Sequence, residues 1–483
     1  MSFLMQEKLK KKLSNNADFV ARTLNTNSGE VFLYFLKSMT DKTAISKEII
    51  EPILRNNVQF DFNKLKNIVC SADVKQIEKE QVLEYILKNH VVIEFAGQYL
   101  IADLEKFPAR TPTEPPTSPN IYGPREGFIE SLPTNISLIR KRLPSKNLVI
   151  ENMNVGRETH TKVSMLYLKN VVNKQIVKKV RQKIKNIDID GVIDSYYIAE
   201  FLKDKPNSMF EQAGYQEKPD VTVAKMLEGR IAILVDGSPI AITVPYMIFE
   251  DLQSSNDYYT NYIYVNLMRV IRSIGIIFAT IAPGLYLSIR LYSYTALPLN
   301  YVIIIANSTK NLPFTPLVEI IFILLLFQIL YEVSLRLPQY LGLATSIVGA
   351  LVLGDTGVKA GLISPPGVIV VAVSIMAIYT IPSQASQLTV LRAVFVVLGS
   401  TLGLFGIIGG VVYVINYINS LNSYGTPYLA PFAPTIKQDL KDGLFKQPLV
   451  NMRERPMAIQ SKNRVRQAKG DDVWTNKKFR LIK

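Results

Sequence analysis

The sequence predicts an α/β cytoplasmic N-terminal region in two subdomains, followed by an all-α polytopic membrane domain. Charged and apolar residues are separated along the chain. Mean hydropathy is +0.16 although 20% of the residues are charged, and residues 273–421 contain only eight Asp, Glu, Lys or Arg residues. Successive apolar runs in this block reach the roughly 20 residues that cross the hydrocarbon layer of a membrane. A soluble core of ordinary shape does not have this pattern.

The N-terminal half divides into two predicted α/β subdomains, residues 1–106 and 125–260. Strand-like apolar runs lie at 31–36 and 91–95 in the first, and at 148–151, 162–168, 231–235 and 241–244 in the second. Helical runs lie at 174–187 and 193–202, and the Asp236-Gly237 step indicates a hairpin. Six prolines between residues 107 and 124 predict a semi-rigid linker, with a surface loop as the alternative.

The composition excludes several classes of site. Cys70 is the single cysteine, so an intrachain disulfide is excluded, and His90 and His160 are the only histidines. We therefore expect no metal ion and no cofactor. The phosphate-binding, dinucleotide-binding, zinc-protease and nucleophile-elbow motifs are all missing, so we expect no enzyme activity, with an unfamiliar enzyme as the alternative.

The predicted membrane domain covers residues 261–421. Its candidate spans are 265–292, 316–337, 340–362, 364–384 and 391–419, and the run at 296–308 is about half a span, which favours a re-entrant or interfacial piece. The following segment, 422–483, is predicted to be a basic cytoplasmic tail, with thirteen Lys and Arg against five Asp and Glu from residue 437 onward. The N-terminus lacks a cleavable apolar leader, so we expect it on the same side.

Two cytoplasmic ends require an even number of crossings, and the sequence leaves four and six open. The net charge of +15 is attributed to contact with anionic membrane lipids beside the spans rather than to nucleic acid.

Charged residues inside the apolar block are the first candidates for function. Glu332 and Arg336 are spaced i,i+4, as are Asp355 and Lys359, so each pair shares one helix face. An isolated charge in the bilayer centre costs several kcal/mol, and we expect these groups to face water, protein or each other, as candidates to line an ion pathway. For Glu332 and Arg336, a position at the end of a span is the equal alternative.

Two further features of this block favour structural roles. Glu319 follows Pro313 and Pro316, so its carboxylate is expected to cap the positive end of a helix dipole, although it also counts among the candidate pore charges. A ladder of small residues predicts close helix packing, within or between subunits, at Gly399, Gly403 and Gly406.

With these residues in place, the chain resembles the A subunits of spore germinant receptors, the GerA family. The resemblance runs through residues 17–22, 123–128, 135–142, 218–220, 227–239, 257–259, 312–314, 336–338 and 347–349. The motif positions that match are Arg125, Glu126, Asn135, Arg140, Arg142, Pro219, Asp220, Glu228, Gly229, Asp236, Gly237 and Pro239. Two stretches, 328–334 and 354–359, depart from the family pattern.

The resemblance implies a complex of A, B and C subunits in the inner spore membrane that senses nutrients and starts ion release. In such complexes the B subunit holds the nutrient, and the A subunits resemble an oligomeric, pore-forming part. The related stage V sporulation F-type channels are the alternative within the family. From the residues alone, a secondary transporter and a ligand-binding α/β region with a membrane anchor are the alternatives to a gated channel.

Overall fold

The computed structural model describes residues 2–13, 16–56, 58–71, 74–104, 122–310, 312–338, 347, 349 and 352–467. The predicted linker lies outside the described residues up to residue 121. The chain divides into an α/β unit (Met1–Met247, Asn422–Lys441 and Gln447–Lys483) and a helical unit (Ile248–Leu421 and Asp442–Lys446).

The first subdomain of the α/β unit is a five-stranded antiparallel sheet of order β1-β2-β4-β5-β3. Its elements are α1 (Ser2–Lys12), β1 (Phe19–Thr26), β2 (Gly29–Leu36), α2 (Lys42–Ala44), a π-helical turn (Ile45–Ile50), α3 (Glu51–Arg55), α4 (Phe62–Ile68), β3 (Val74–Ile77), α5 (Val82–Leu87), β4 (Val91–Phe95) and β5 (Gln98–Ala102). Val31, Leu33 and Phe35 of β2 pack in one core, and Phe32 and Tyr34 pack in the core on the opposite face. Both faces are covered, which explains the unbroken apolar run.

The second subdomain is built in the same way, with strand order β6-β7-β9-β10-β8. Its elements are α6 (Leu132–Arg142), β6 (Leu148–Val155), β7 (Thr161–Leu168), α7 (Lys174–Lys185), α8 (Ser195–Leu202), β8 (Gly214–Gln216), α9 (Pro219–Glu228), β9 (Ile231–Val235) and β10 (Ala241–Val244). Helices α7 and α8 share a core on one face of the sheet, and α6 and α9 share a core on the other.

The two subdomains have one topology. In each, a helix precedes a hairpin, helices lead to a short edge strand, and one further helix leads to a second hairpin in the middle of the sheet. The α/β architecture predicted from the strand and helix patterns is confirmed, but the repetition of the topology was not predicted.

Residues 422–441, predicted to begin a basic tail, do not form a separate segment. The structure assigns them to the α/β unit, where they form a small hairpin of β11 (Asn422–Ser423) and β12 (Thr426–Pro427). The hydroxyl of Tyr424 donates to the Leu202 carbonyl at 3.0 Å, and that of Tyr428 donates to the Glu211 carbonyl at 2.6 Å. Both tyrosines are buried, so this segment completes the second subdomain.

The helical unit starts earlier than predicted, at residue 248 rather than 261. Its helices are α10 (Tyr262–Tyr292), α11 (Leu299–Thr309), α12 (Pro316–Arg336), α13 (Gly357–Lys359, after a π-helical turn Val352–Thr356), α14 (Pro365–Ile378), α15 (Ala385–Thr401) and α16 (Gly403–Asn419). Helix α10 packs against α14, α15 and α16.

Among the described residues, α10 and α12 are long and apolar enough to cross a membrane. Pro365–Ile378 and Pro382–Thr401 meet at a bend of 108°, which makes them either one broken span or a re-entrant loop. The candidate span at 391–419 is not one continuous helix, because α15 ends at Thr401 and α16 begins at Gly403, which adopts a φ of +61°. The predicted span at 340–362 lies mostly outside the described residues.

Candidate functional site

A buried ion pair joins the ends of two helices in the helical unit. Arg290 is in the last turn of α10, and Glu319 is in the first turn of α12. The Nη1 atom of Arg290 lies 2.6 Å from Oε2 of Glu319, whose side chain is 0% exposed. In surroundings of low polarity, such a pair is tolerated when further hydrogen bonds satisfy the remaining oxygen.

Ser364 supplies those hydrogen bonds. Its backbone N–H donates to Glu319 Oε1 at 2.8 Å, and its hydroxyl donates to the same oxygen. Ser364 is also the N-cap of α14, because its Oγ accepts from the Gly367 N–H. A Cβ at Gly367 would lie 3.0 Å from Glu319 Oε1, so a glycine leaves room for the carboxylate. One carboxylate therefore ties together the ends of three helices.

Glu319 lies in the first turn of α12, the place expected for a carboxylate at the positive end of a helix dipole. The N-cap residue, Thr315, makes no side-chain cap hydrogen bond, and the Glu319 carboxylate also bonds to Arg290 of α10 and to Ser364 at the start of α14. Its partner Arg290 was counted in the sequence but was not singled out, since 29 positions separate the two residues. We refer to Arg290, Glu319 and Ser364 as the three-helix latch.

The two charge pairs predicted from the i,i+4 spacing are each within contact distance. Arg336 Nη2 lies 2.6 Å from Glu332 Oε1, and Lys359 Nζ lies 2.8 Å from Asp355 Oδ2. All four side chains are more than half exposed in the single chain. They do not contribute to its core, and their role in an ion pathway stays a prediction.

Arg392 is a further buried charge that sequence reasoning missed. It lies inside α15 with 4% exposure, and its Nη1 makes no hydrogen bond to the part of the chain that the structure describes. The three acidic residues of the apolar block, Glu319, Glu332 and Asp355, are all paired with other basic residues. Arg392 therefore gives this bundle a buried positive charge.

A second polar network lies around the first turns of α10. The guanidinium of Arg269 contacts Asp257 Oδ2 at 3.0 Å and Asp442 Oδ1 at 3.0 Å. Arg272 pairs with Asp257 Oδ1 at 2.9 Å, and Lys446 Nζ donates to the Asp257 carbonyl at 2.5 Å. Residues 442–446 are thus held to the start of α10 by charge-assisted bonds, which are stronger than neutral ones. Asp257 belongs to a matched motif, but its partners were not predicted.

The predicted glycines lie at close contacts. A Cβ at Gly399 would lie 2.2 Å from the Gly284 carbonyl oxygen, and one at Gly406 would lie 2.5 Å from the Leu398 carbonyl oxygen. Gly403 combines its positive φ with contact to the Tyr292 ring. Side chains at these positions would push α15 away from α10 and from α16.

The matched motif positions of the α/β unit hold turns and helix ends together. Asn135 is buried and bonds to both backbone groups of Ile129. Asp236 accepts from the Leu132 N–H, Gly237 has a φ of +91°, and Gly229 ends α9 with a φ of +110°. The rest are placed as follows: Arg142 pairs with Glu126, Glu228 with Arg230, Pro219 and Asp220 begin α9, and Arg125 and Pro239 lie outside helices and strands.

One matched arginine joins the two subdomains. Arg140 of α6 is 1% exposed, and its Nε lies 2.9 Å from Oδ2 of Asp18, next to β1. Asp18 also accepts hydrogen bonds from the backbone and the hydroxyl of Ser38. Burial lowers the pKa of Arg140, and the carboxylate of Asp18 opposes that effect. No cluster that could hold a metal ion occurs among the described residues.

An α/β unit and a helical unit that has two apolar helices of membrane-crossing length indicate a membrane-associated protein. The family model for the Bacillus/Clostridium GerA spore germination protein matches residues 7–458. The chain therefore belongs to the GerA family of spore germination proteins.

Curated relatives extend over nearly the whole chain. Spore germination protein KA of Bacillus subtilis (strain 168) is 30% identical over 472 residues, which are 95% of this chain and 87% of the relative. Spore germination protein GerQA of Bacillus cereus is 30% identical over 463 residues, 94% of this chain and 92% of the relative. The crystal structure of the N-terminal domain of the A subunit of the Bacillus megaterium spore germinant receptor GerK3 is 26% identical, with a TM-score of 0.39, and covers 50% of this chain and 94% of that chain.

Proposed function

We propose that this chain is the A subunit of a nutrient germinant receptor in the inner spore membrane. In this proposal, several copies assemble with B and C subunits and form a gated channel that releases monovalent cations at the start of germination. Membership of the GerA family supports the receptor role. The buried ion pair of the three-helix latch is the observation that carries the gating role.

A gate needs an element with two discrete arrangements, and the latch has the required chemistry. Its carboxylate fixes α10, α12 and α14 at once, through Arg290 and Ser364. If these helices separate, the ion pair between Arg290 and Glu319 breaks, and both charged groups then need water or new partners. A closed state with the latch formed and an open state with the latch hydrated are therefore distinct, and a signal from a partner subunit shifts the balance between them.

The proposal places both the N-terminal region and the end of the chain on the cytoplasmic side of a multi-pass protein. Basic residues after position 437 support this orientation. The chain has no catalytic role and no cofactor in the proposal. Ions flow down their gradient, and the free energy of nutrient binding biases the gate.

A secondary transporter is the second candidate, and the bend between α14 and α15 favours it. Broken helices in transporters expose helix ends to a solute near mid-membrane. Such proteins carry the break in two corresponding halves, whereas the residues that the structure describes contain one bent pair. Counting ions per opening separates the candidates, because a channel passes many and a transporter passes a fixed number.

The test is ion release from spores. Spores that lack this chain and other germinant receptors are complemented with the wild-type gene, with Glu319→Gln, or with the exposed-pair control Glu332→Gln. Potassium release is then followed after addition of a nutrient panel. We expect the wild type and the control to restore release and Glu319→Gln to change its rate or its nutrient threshold. Wild-type complementation without nutrient-dependent release would refute the proposal.

A further inference from the structure

An exposed apolar surface lies on α8 of the α/β unit and on Ile193, just before that helix. Ile193, Tyr196, Tyr197 and Phe201 are 72%, 48%, 39% and 44% exposed. Tyr197 and Phe201 are four residues apart, so they share one helix face. The opposite face of α8 packs into the core of the second subdomain. Contiguous apolar side chains of this kind mark an interaction surface on a folded domain.

Helix α7 adds positive charge to the same region. Four of its lysines, Lys174, Lys178, Lys179 and Lys185, are exposed, and none of them forms a salt bridge with the part of the chain described here. The acidic groups that reach α7 are already engaged, since Glu151 pairs with Arg181 and Asp204 pairs with Lys183.

The apolar and the basic residues face outward on one side of the sheet. Helices α7 and α8 both pack against the same sheet face through one core. Lys183 of α7 donates to the carbonyls of Leu202 and Lys203 at the end of α8, at 2.7 and 3.0 Å. The exposed sides of the two helices therefore form one continuous surface, which we name the α7–α8 surface.

We propose that the α7–α8 surface binds the headgroup layer of an anionic membrane. Aromatic rings suit the interface between headgroups and acyl chains, and each lysine near an anionic surface adds attraction. Stable membrane contact needs two signals together, and this surface has an apolar and a basic one. Lysine is depleted in protein–protein interfaces, so four exposed lysines without a salt bridge to the described residues favour lipid over a protein partner. The apolar helices of the same chain keep lipid at a high local concentration.

The test uses the full-length chain in lipid nanodiscs. In a Cys70→Ser background, an environment-sensitive fluorophore is attached at Tyr197→Cys, and a matched probe is attached at Lys11→Cys on α1. Discs of zwitterionic lipid are compared with discs in which about one third of the lipid is anionic. We expect blue-shifted emission and quenching by brominated lipid at position 197 in anionic discs only, with reversal in high salt.

Charge removal provides the second arm. We replace Lys178, Lys179 and Lys185 by Gln. The ratio of membrane-bound to membrane-free α7–α8 surface is expected to fall on the order of 100-fold. The matched control neutralises three exposed lysines of α1, namely Lys8, Lys10 and Lys11, and should leave the signal unchanged. The unlabelled protein gives an independent readout through slowed amide exchange over residues 193–202 in anionic discs.

Two outcomes overturn the proposal. One is a solvent-exposed probe in both lipid mixtures. The other is equal shielding in both mixtures that grows with the number of chains per disc, because this identifies a protein partner. If the triple lysine variant fails to fold, the comparison of the labelled chain in the two lipid mixtures still tests whether the α7–α8 surface binds anionic lipid. None of these results depends on whether the helical unit conducts ions.

Discussion

The three-helix latch predicts a specific pattern of stability in a double-mutant cycle. Glu319→Gln keeps an oxygen that accepts from Ser364 but leaves Arg290 buried without a counter-charge. Arg290→Met leaves Glu319 charged, although the two bonds from Ser364 partly stabilise it. Removing one partner of a buried pair costs about 3 to 5 kcal/mol. Because Arg290 retains 12% exposure at a helix end, we expect about 3 kcal/mol for each single variant.

The double variant, Arg290→Met with Glu319→Gln, buries no unpaired charge. We therefore expect a loss of about 3 kcal/mol or less instead of the additive sum of about 6, which gives a coupling energy of about 3 kcal/mol. For a unit of this size, each kcal/mol shifts Tm by roughly 2 to 4 °C. Thermal unfolding of the purified chain in detergent should then show a Tm about 6 to 12 °C lower for each single variant. The Tm of the double variant should not lie below that of the single variants by another such decrease.

The control for this cycle is Glu332→Gln, which breaks an exposed pair and should cost under about 1 kcal/mol. Single variants that melt within 2 °C of the wild type, or losses that add fully in the double variant, would refute the latch.

Three further predictions concern the α/β unit. Tyr424→Ala should destabilise this unit by about 3 kcal/mol or more, whereas Tyr424→Phe, which loses only the bond to the Leu202 carbonyl, should cost about 1 kcal/mol; denaturant unfolding measures both, and equal losses would contradict a packed role for the ring. Asp18→Asn should leave Arg140 buried without its counter-charge and cost about 3 kcal/mol, with faster proteolysis between the subdomains as the readout, and unchanged proteolysis would argue against it. Burial opposes ionisation of Glu151, but the hydrogen bonds from Arg181 and Tyr167 outweigh this effect and hold the pKa of Glu151 below 4.5. The ionised carboxylate therefore stabilises the fold above pH 4.5, and this stabilisation is lost as the pH falls through the lower pKa of the folded state. On acidification, we expect the Tm of Glu151→Gln to fall less steeply than the Tm of the wild type.

Local patterns predicted the α/β fold well. The runs at 31–36 and 91–95 correspond to β2 and β4, and the runs at 231–235 and 241–244 correspond to β9 and β10 around the Asp236-Gly237 turn. These strands are apolar on both sides because helices cover both sheet faces. The helical run predicted at 174–187 corresponds to α7, which ends two residues earlier, at Lys185.

The boundaries between units were not predictable in the same way. Residues 248–261 are polar enough to look like the α/β region, yet Asp257 binds Arg269 and Arg272 of α10 and belongs with the helical unit. Residues 422–441 look like a basic tail, yet Tyr424 and Tyr428 are buried against the second subdomain. Long-range contacts determine to which unit each of these two segments belongs, and amino-acid composition carries no information on such contacts.

The candidate site shows the same limit. Charge pairs four residues apart, such as Asp355 and Lys359, are visible because a helix brings them together. Arg290 and Glu319 lie on different helices, and only the packing of α10 against α12 makes them partners. The break at Gly403 was also missed, because a glycine in an apolar run is compatible with both a continuous and a broken helix.

Current recorded across a planar bilayer that contains the purified chain, alone and with its partner subunits, tests the gating claim most directly. We expect discrete monovalent-cation currents in the wild type, with an open probability that rises when Glu319 is replaced by Gln and stays unchanged when Glu332 is replaced by Gln. A bilayer that stays silent with all subunits and nutrient present, or an open probability equal in all three proteins, would contradict the gating claim.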